Sequence, residues 1–162
     1  MRGVVSCLIL LGCVTGLVLS GCGEEPPPAD EVTPAAPTQP KDWSDHTQGL
    51  PFVVGYQQGL EKAGSEGKPA MMFVTTTWCG WCKKLADDAF TEPEIKDLLS
   101  KFVLVIVDGD VEEEAKTKLG TQGYPHIVFL SPSGQKVGEC LGYRPAEEFQ
   151  EIVQNALAET SG

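Results

Sequence analysis

Two cysteines three positions apart, Cys79 and Cys82 in the run Trp78-Cys79-Gly80-Trp81-Cys82, are the residues of this sequence best suited to chemistry. On one turn of a helix both sulfurs lie on the same side and can bond without unfolding the helix. Such a pair alternates between dithiol and disulfide. The spacing therefore predicts thiol–disulfide exchange, in which Cys79 attacks a disulfide and Cys82, one turn deeper, releases the product.

The segments on either side of the pair predict a strand-to-helix junction. Residues 70–76 form an apolar and then β-branched run that is typical of a buried strand. Apolar residues recur at helical spacing after the pair, at Leu85, Ala86, Ala89 and Phe90. Cys79 is thus expected at a helix N-terminus, where unpaired amides and the helix dipole favour negative charge and lower the pKa of its thiol.

The other elements are predicted to alternate between strands and helices along the chain. The predicted strands are 50–54, 70–76, 102–107, 127–130 and 136–141, the last two joined as an antiparallel hairpin. The predicted helices are one over 56–63 that breaks at Gly64 and the Gly67-Lys68-Pro69 turn, one following the cysteines, one opening at Thr91, one from Asp110 to Gly120 and one beginning at Pro145. Thr91 and Asp110 each have a glutamate three residues on, which is the spacing of a capping box.

Pro125 follows Gly123-Tyr124 and precedes a predicted strand. A cis bond there would turn the chain sharply and present the backbone of Tyr124 beside the cysteines. Its ring is expected to matter less than its backbone. Proline type alone predicts a cis bond in only about 5% of cases.

Taken together, these motifs resemble the thioredoxin superfamily, in particular the thioredoxin-like domains of secreted bacterial proteins. The resemblance covers roughly positions 50 to 160 and rests on the WCGWC run after a strand, Phe90-Thr91-Glu92-Pro93-Glu94, and Gly-Tyr-Pro before a later strand. It implies an α/β, three-layer fold with a central mixed sheet of four to five strands flanked by helices.

The resemblance also implies roles for individual residues. Cys79 would be the nucleophile, Cys82 the resolving cysteine and Pro125 the cis residue. The supporting residues of the site would be Trp78, Gly80, Trp81, Tyr124 and Pro125. Trp81 is either a platform for substrate or a ring that covers the helix start.

Three positions depart from the family pattern. Phe73 stands where thioredoxins carry a buried aspartate, Ile106 where they carry a lysine, and Trp81 where they carry a proline. The first two substitutions remove groups that handle protons in ordinary thioredoxins. We therefore expect a specialised exchanger.

The first residues predict export. Residues 1–21 have the layout of a secretory signal: the basic Arg2, then an apolar stretch, then the small residues Ser20 and Gly21. Leu19-Ser20-Gly21-Cys22 also resembles the bacterial lipobox, in which the cysteine becomes the lipid-bearing first residue. The alternative is an ordinary signal peptide with a chance cysteine near its end. We expect an extracytoplasmic lipoprotein held in a bacterial membrane through Cys22, facing the periplasm in a Gram-negative cell.

Residues 22–42 are expected to be an extended tether, and residues 43–162 the thioredoxin-like domain. Positions 23–41 contain six prolines and almost no large apolar side chains, so they cannot bury enough surface to fold. The formal charge is −11, and cleavage before Cys22 leaves 11 basic and 23 acidic residues, a net −12. Such a surface repels nucleic acid, so no nucleic-acid partner is expected.

His126 and Cys140 are the remaining residues of interest. A lone histidine beside the expected cis-proline can tune a thiolate or bind metal, but is more often structural. Cys140 can be a buried small hydrophobe, a regulatory thiol or a site of intermolecular bonding, and the first is favoured. A metal site needs three or four ligands at workable spacing, so none is predicted, and no cofactor is expected.

The sequence therefore predicts a thiol–disulfide oxidoreductase of unresolved direction. Its partners would be thiols and disulfides of exported proteins, a redox partner protein and, through the lipid anchor, a membrane. Two alternatives stay open. One is a thioredoxin-fold binding or chaperone-like module, and the other is a metal-delivery protein.

Overall fold

An apolar run immediately before the cysteine pair forms the central strand of a five-stranded sheet in the computed structural model, which describes residues 41–160. The strands are β1 Val53–Val54, β2 Ala70–Thr75, β3 Val103–Asp108, β4 His126–Leu130 and β5 Lys136–Leu141. The helices of the described residues are α1 Ser44–Thr47, α2 Tyr56–Glu66, α3 Gly80–Ala89, α4 Pro93–Leu99, α5 Glu113–Leu119 and α6 Ala146–Thr160.

The sheet is mixed, with strand order β1-β3-β2-β4-β5. Strands β1, β3 and β2 run parallel, while β4 pairs antiparallel with β2 and with β5. All residues of β2, β3 and β4 are buried, as expected for strands covered on both faces. The predicted α/β class and the predicted mixed sheet are confirmed.

Helices cover both faces of the sheet, which gives three layers. Side chains of α3, α4 and α6 share one apolar cluster with Phe73, Phe129 and both paired cysteines. Side chains of α2 and α5 share the other cluster with Val74, Val105 and Val128. The cysteine pair therefore lies on the face that carries α3 and α6.

Helix α2 does not break at Gly64 but continues to the Gly67 turn, the second stop expected from the sequence. The helix continues to Glu66 and ends at Gly67, whose φ of 62° is left-handed and whose amide bonds to the carbonyls of Ala63 and Gly64. Gly64 lies inside the helix and leaves its hydrogen bonds intact, so the left-handed requirement at Gly67 decides where the helix ends.

Both predicted capping boxes are wrong. Helix α4 begins after Glu92, and the hydroxyl of Thr91 donates instead to the carbonyl of Asp87, 2.8 Å away. Helix α5 begins after Glu112, and neither helix has a side-chain cap. Asp110 instead faces the cysteine region, where its carboxylate accepts a hydrogen bond from Trp78.

The first strand is shorter than predicted. Only Val53 and Val54 of the predicted range 50–54 pair with β3. Strand β1 forms one edge of the sheet and β5 the other, and the pairing of β4 with β5 has an irregularity between Phe129 and Leu130. Within residues 41–160, no helix has the length and apolarity needed to cross a membrane.

Candidate active site

The cysteine pair lies where the central strand gives way to α3. Cys79 is the N-cap of α3, and a disulfide joins it to Cys82, with the two Cα atoms 5.3 Å apart. The backbone N–H of Cys82 donates to Sγ of Cys79 at 3.2 Å, and the N–H of Cys79 donates to the Thr76 carbonyl at 3.0 Å. The first turn of α3 thus points an amide at the sulfur expected to carry negative charge.

The two sulfurs differ in access. Cys79 is 6% exposed and Cys82 is 0% exposed, so Cys79 is the cysteine nearer solvent. Two large aromatic residues beside them are open to solvent, Trp78 at 69% and Trp81 at 60%. An incoming molecule would therefore meet aromatic side chains beside Cys79 before it meets Cys82.

Trp78 is held in place by an acid and a second ring. Its indole N–H donates to a carboxylate oxygen of Asp110 at 3.2 Å, and its ring meets Tyr124 edge to face at 6.1 Å between centroids. The hydroxyl of Tyr124 donates to the Gly109 carbonyl at 3.1 Å. The Tyr124 ring thus supports Trp78, in addition to the backbone role expected from the sequence.

The Tyr124–Pro125 bond is cis. The register of β4 against β2 pairs His126 with Val74, which brings the preceding Pro125 to the end of β2 that leads into the cysteines. The carbonyl of Pro125 accepts a hydrogen bond from the Gly142 amide at 2.7 Å. The structure thus brings Pro125 to the same end of the sheet as the cysteine pair.

Trp81 packs on a second polar and aromatic cluster. Its ring lies 5.5 Å from that of Tyr143, whose hydroxyl donates to Asp88 at 2.5 Å. The hydrogen bond from Lys84, and then that from Tyr143, lower the pKa of Asp88, and the bond to Asp88 raises the pKa of Tyr143. Trp81 is thus exposed to solvent while its ring packs against Tyr143, which fits a platform for substrate as well as a cover of the helix start.

Gly80, predicted as a supporting residue, has open space on its side-chain side. A Cβ built there has no neighbouring atom within 4 Å. A small residue is therefore not demanded by contacts within the domain.

The Lys41 side chain also reaches the end of the sheet at which the cysteine pair lies. Its ammonium lies 2.7 Å from Asp108 and 3.2 Å from Asp110, the acid that binds Trp78. Burial lowers the pKa of Lys41, but its hydrogen bonds to the two aspartates outweigh that effect and raise it. Lys41 is thereby linked, through Asp110, to the rim of the site.

Phe73 and Ile106, the two departures from the family pattern, are register partners across β2 and β3 and are fully buried. The ring of Phe73 contacts His46 of α1, at 6.3 Å between centroids. His46 is 1% exposed, and neither of its ring nitrogens has a hydrogen-bond partner among the described residues. Oγ1 of Thr76 is also buried and has no hydrogen-bond partner among the described residues.

The remaining candidates are His126 and Cys140, and both are buried. His126 is buried, with Nδ1 3.0 Å from the Thr121 hydroxyl and Nε2 3.1 Å from a Glu139 oxygen, so its contacts are structural. Cys140 is a buried free thiol whose pKa is raised by burial, as favoured from the sequence. Within residues 41–160 no three His, Cys, Asp or Glu side chains converge as a metal site.

Sequence reasoning did not identify several residues that surround the pair. These are His46, Thr76, Gly109, Asp110 as a partner of Trp78, and Tyr143. One signal was present for His46: Trp43 and His46 lie three residues apart, on one side of a helical turn. The other contacts join distant parts of the chain and have no local signature. Residues 1–40, including Cys22, lie outside the described residues.

Comparison with known proteins assigns a family to this arrangement. The family of thioredoxin-like domains matches residues 56–157. The chain is 34% identical over 103 residues to the chloroplastic thioredoxin-like protein HCF164 of Oryza sativa subsp. japonica, covering 63% of this chain and 38% of that protein. It is 30% identical over 162 residues to the thiol:disulfide interchange protein DsbD of Pectobacterium atrosepticum, covering 95% of this chain and 26% of that one.

A solved structure supports the same assignment. The thioredoxin from Thermus thermophilus superposes with a TM-score of 0.60 at 25% identity, over 67% of this chain and 89% of that one. The chain spans well under half the length of the two curated relatives. The similarity therefore covers one domain, and in this chain that domain holds the cysteine pair.

Proposed function

The chain belongs to the family of thioredoxin-like domains, and we propose that it is a thiol–disulfide oxidoreductase that acts on other proteins through Cys79 and Cys82. The observation that carries this proposal is the disulfide at the start of α3, with one sulfur near the surface and the other buried. Two bonded cysteines at a helix N-terminus can accept or deliver two electrons without rearranging the fold.

The reaction has two steps in the reducing direction. The thiolate of Cys79 attacks one sulfur of a substrate disulfide, which forms a mixed disulfide and releases the first substrate thiol. Cys82 then attacks Cys79, which closes the internal disulfide and releases the second substrate thiol. The substrate gains two electrons and the cysteine pair loses two. Oxidation of a substrate dithiol is the same sequence in reverse.

The amide of Cys82 supports the first step. It donates to Sγ of Cys79 at 3.2 Å, and a hydrogen bond to a charged sulfur is stronger than one to a neutral sulfur. In the reverse direction a substrate thiolate attacks Cys79 and Cys82 leaves. The same amide then stabilises Cys79 as the thiolate that leaves when the second substrate thiolate attacks the mixed disulfide. Cys79 thus serves as nucleophile in one direction and as leaving group in the other.

The exposed rings of Trp78 and Trp81 suit a polypeptide substrate. Exposed aromatic side chains are enriched where proteins bind one another. The Tyr124 ring packs edge to face against Trp78, and Pro125 lies at the end of the sheet that leads into the cysteine pair. We assign Trp78, Trp81, Tyr124 and Pro125 to substrate binding beside Cys79.

The proposed setting is outside the cytoplasm, on a membrane. Its support is the signal layout of residues 1–21, the lipobox-like segment before Cys22 and the similarity to a thiol:disulfide interchange protein. Residues 22–42 would then tether a domain of residues 43–162. Exported proteins would be substrates, and a second redox protein would restore the pair to its working state.

Replacement of Cys79 by serine tests the activity. We expect the full chain to reduce a peptide disulfide in the presence of a regenerating thiol, and Cys79→Ser to lose this activity. Cys140→Ser is the matched control, because it removes a buried cysteine that takes no part in the disulfide and should keep the activity. An unchanged substrate decay in Cys79→Ser would leave a binding module as the better description. The reduction potential of the pair then decides between reductant and oxidant.

Mass spectrometry of the mature N-terminus tests the anchor. An acylated Cys22 supports the lipoprotein assignment, since several acyl chains hold a protein firmly at about 0.8 kcal/mol per buried methylene. A free, unmodified cysteine at that terminus would end it.

A further inference from the structure

The buried resolving cysteine needs somewhere to send its proton. Cys82 must become a thiolate to attack the mixed disulfide, yet it is 0% exposed and shares an apolar cluster with Phe73 and Leu85. Burial disfavours the charged form of a thiol. The attack is therefore eased by a proton acceptor that lies in the interior beside the first turn of α3.

Among the described residues, the buried side-chain nitrogen and oxygen atoms that lack a hydrogen-bond partner belong to His46 and Thr76. They are both ring nitrogens of His46 and Oγ1 of Thr76. Buried polar atoms are nearly always paired, so three unpaired atoms on two residues near the reactive pair call for a functional explanation.

Contacts bring His46 and Thr76 to the start of α3. The Thr76 carbonyl accepts the N–H of Cys79, and the His46 ring contacts Phe73, which shares a cluster with both cysteines. Helix α1, which carries His46, is fastened to α3 by two polar pairs. These are Lys83 with Asp45 at 3.0 Å and Gln48 with Asp87 at 2.5 Å.

The groups that face His46 suit a base that is neutral at rest. Burial, and then the positive charge of Lys83, lower the pKa of His46. The backbone of Thr76, which lies close to the ring but outside hydrogen-bond geometry, and the carboxylates of Asp45 and Asp87 raise this pKa. The ring is therefore uncharged near neutral pH, while these three groups stabilise it when a proton arrives.

We propose that His46 accepts the thiol proton of Cys82 when the mixed disulfide is resolved. The S–H bond of Cys82 breaks and an N–H bond forms on the imidazole. The Cys82 thiolate then bonds to Sγ of Cys79, and the bond from Cys79 to the substrate sulfur breaks. The substrate leaves as a thiolate and takes the proton from His46, so atoms and electrons balance. This inference rests on the proposed function.

Single-turnover kinetics of the reduced full chain with glutathione disulfide test the proposal. Acid quenching, alkylation and mass spectrometry of the peptide that holds Cys79 and Cys82 count its dithiol, mixed-disulfide and internal-disulfide forms. The first step reports attack by Cys79, and the second reports attack by Cys82. We compare the native chain with His46→Phe, which keeps a ring in place, and with His46→Gln, which keeps a polar side chain.

Both variants should slow the second step by roughly 100-fold near neutral pH, the lower end of what a positioned base contributes. Formation of the mixed disulfide should be unchanged. In the native chain, the rate of the second step should already be level at about pH 6.5, the ordinary pKa of histidine, because burial lowers the pKa of His46 below that value. In the variants it should keep rising with pH, because the thiol must ionise without help.

A packing control separates loss of the base from loosening of the cluster. Phe52→Leu trims a ring that contacts the same Phe73, at 6.2 Å between centroids, and keeps His46. It should preserve the pH profile. An unchanged second step in the His46 variants, or equal slowing in Phe52→Leu, would overturn the inference. If the native chain forms no mixed disulfide at Cys79, the proposed function fails and the inference falls with it.

Discussion

Substitution of Gly109 by alanine should dislodge the ring that supports Trp78. A Cβ at position 109 would lie 2.2 Å from the Tyr124 hydroxyl oxygen and 2.5 Å from its Cζ, closer than atoms approach. The ring must move, which breaks its hydrogen bond to the Gly109 carbonyl and its edge-to-face contact with Trp78. The hydrogen bond contributes about 1 kcal/mol and the aromatic pair about 1 kcal/mol. The free energy of unfolding should therefore fall by about 2 kcal/mol.

Urea denaturation measures this loss, with an unchanged dependence on urea concentration. Tyr124→Phe is the matched control, because it removes only the hydroxyl and should cost about 1 kcal/mol. In Tyr124→Ala the Gly109→Ala substitution should cost almost nothing further, since the ring is already gone. A full cost of Gly109→Ala in that background would refute the steric explanation. Gly109→Ala should also raise KM for a peptide disulfide without slowing the reaction of Cys79 with glutathione disulfide.

Three further predictions concern packing, reactivity and pH. Gly59→Ala should cost about 1–3 kcal/mol in urea denaturation, because its Cβ would lie 2.4 Å from Val105 in the adjacent strand, whereas Gly64→Ala meets open space and should not destabilise the chain. Cys140 should resist iodoacetamide at about pH 8 until the chain unfolds, since burial raises its pKa; rapid labelling of the folded chain would contradict this. Burial lowers the pKa of His46 in the folded chain, so below about pH 6.5 the unfolded chain binds a proton there more readily. The free energy of unfolding should therefore fall as the pH drops below about 6.5. His46→Phe should lessen this fall. If the urea midpoint shifts equally between pH 7 and pH 5.5 in the native chain and in His46→Phe, this prediction is wrong.

The reactive pair and its supporting elements were predictable because their signals are local. A buried β-branched run, two cysteines at helical spacing and a following apolar stripe together place Cys79 at a helix start, where the structure has it. The hairpin of β4 and β5 follows from two predicted strands with a turn between them. Each of these signals lies within about 15 residues of sequence.

Features that depend on distant contacts were not predictable in this way. His46 and Phe73 are 27 positions apart in the sequence, so no local pattern indicates the contact between their rings. The Trp78 indole likewise donates to Asp110, 32 positions away. The capping boxes failed because other partners take up the polar groups near each helix start. The Thr91 hydroxyl donates to the carbonyl of Asp87, four residues earlier. At α5, the two carboxylate oxygens of Glu112 accept the amides of Asp108, four residues earlier, and of Tyr56, 56 residues earlier, at 2.8 Å each.

The edges of the sheet bear on how the domain behaves when many copies are crowded together. An edge strand offers unpaired amides and carbonyls to the edge of another molecule, which is a common start of aggregation. Here one edge, β1, has two residues, and the other, β5, carries Lys136 and Glu139 beside an irregular pairing with β4. Short, charged and irregular edges disfavour strand addition. The domain is therefore built to stay dispersed at high local density while its cysteine pair reacts with other chains.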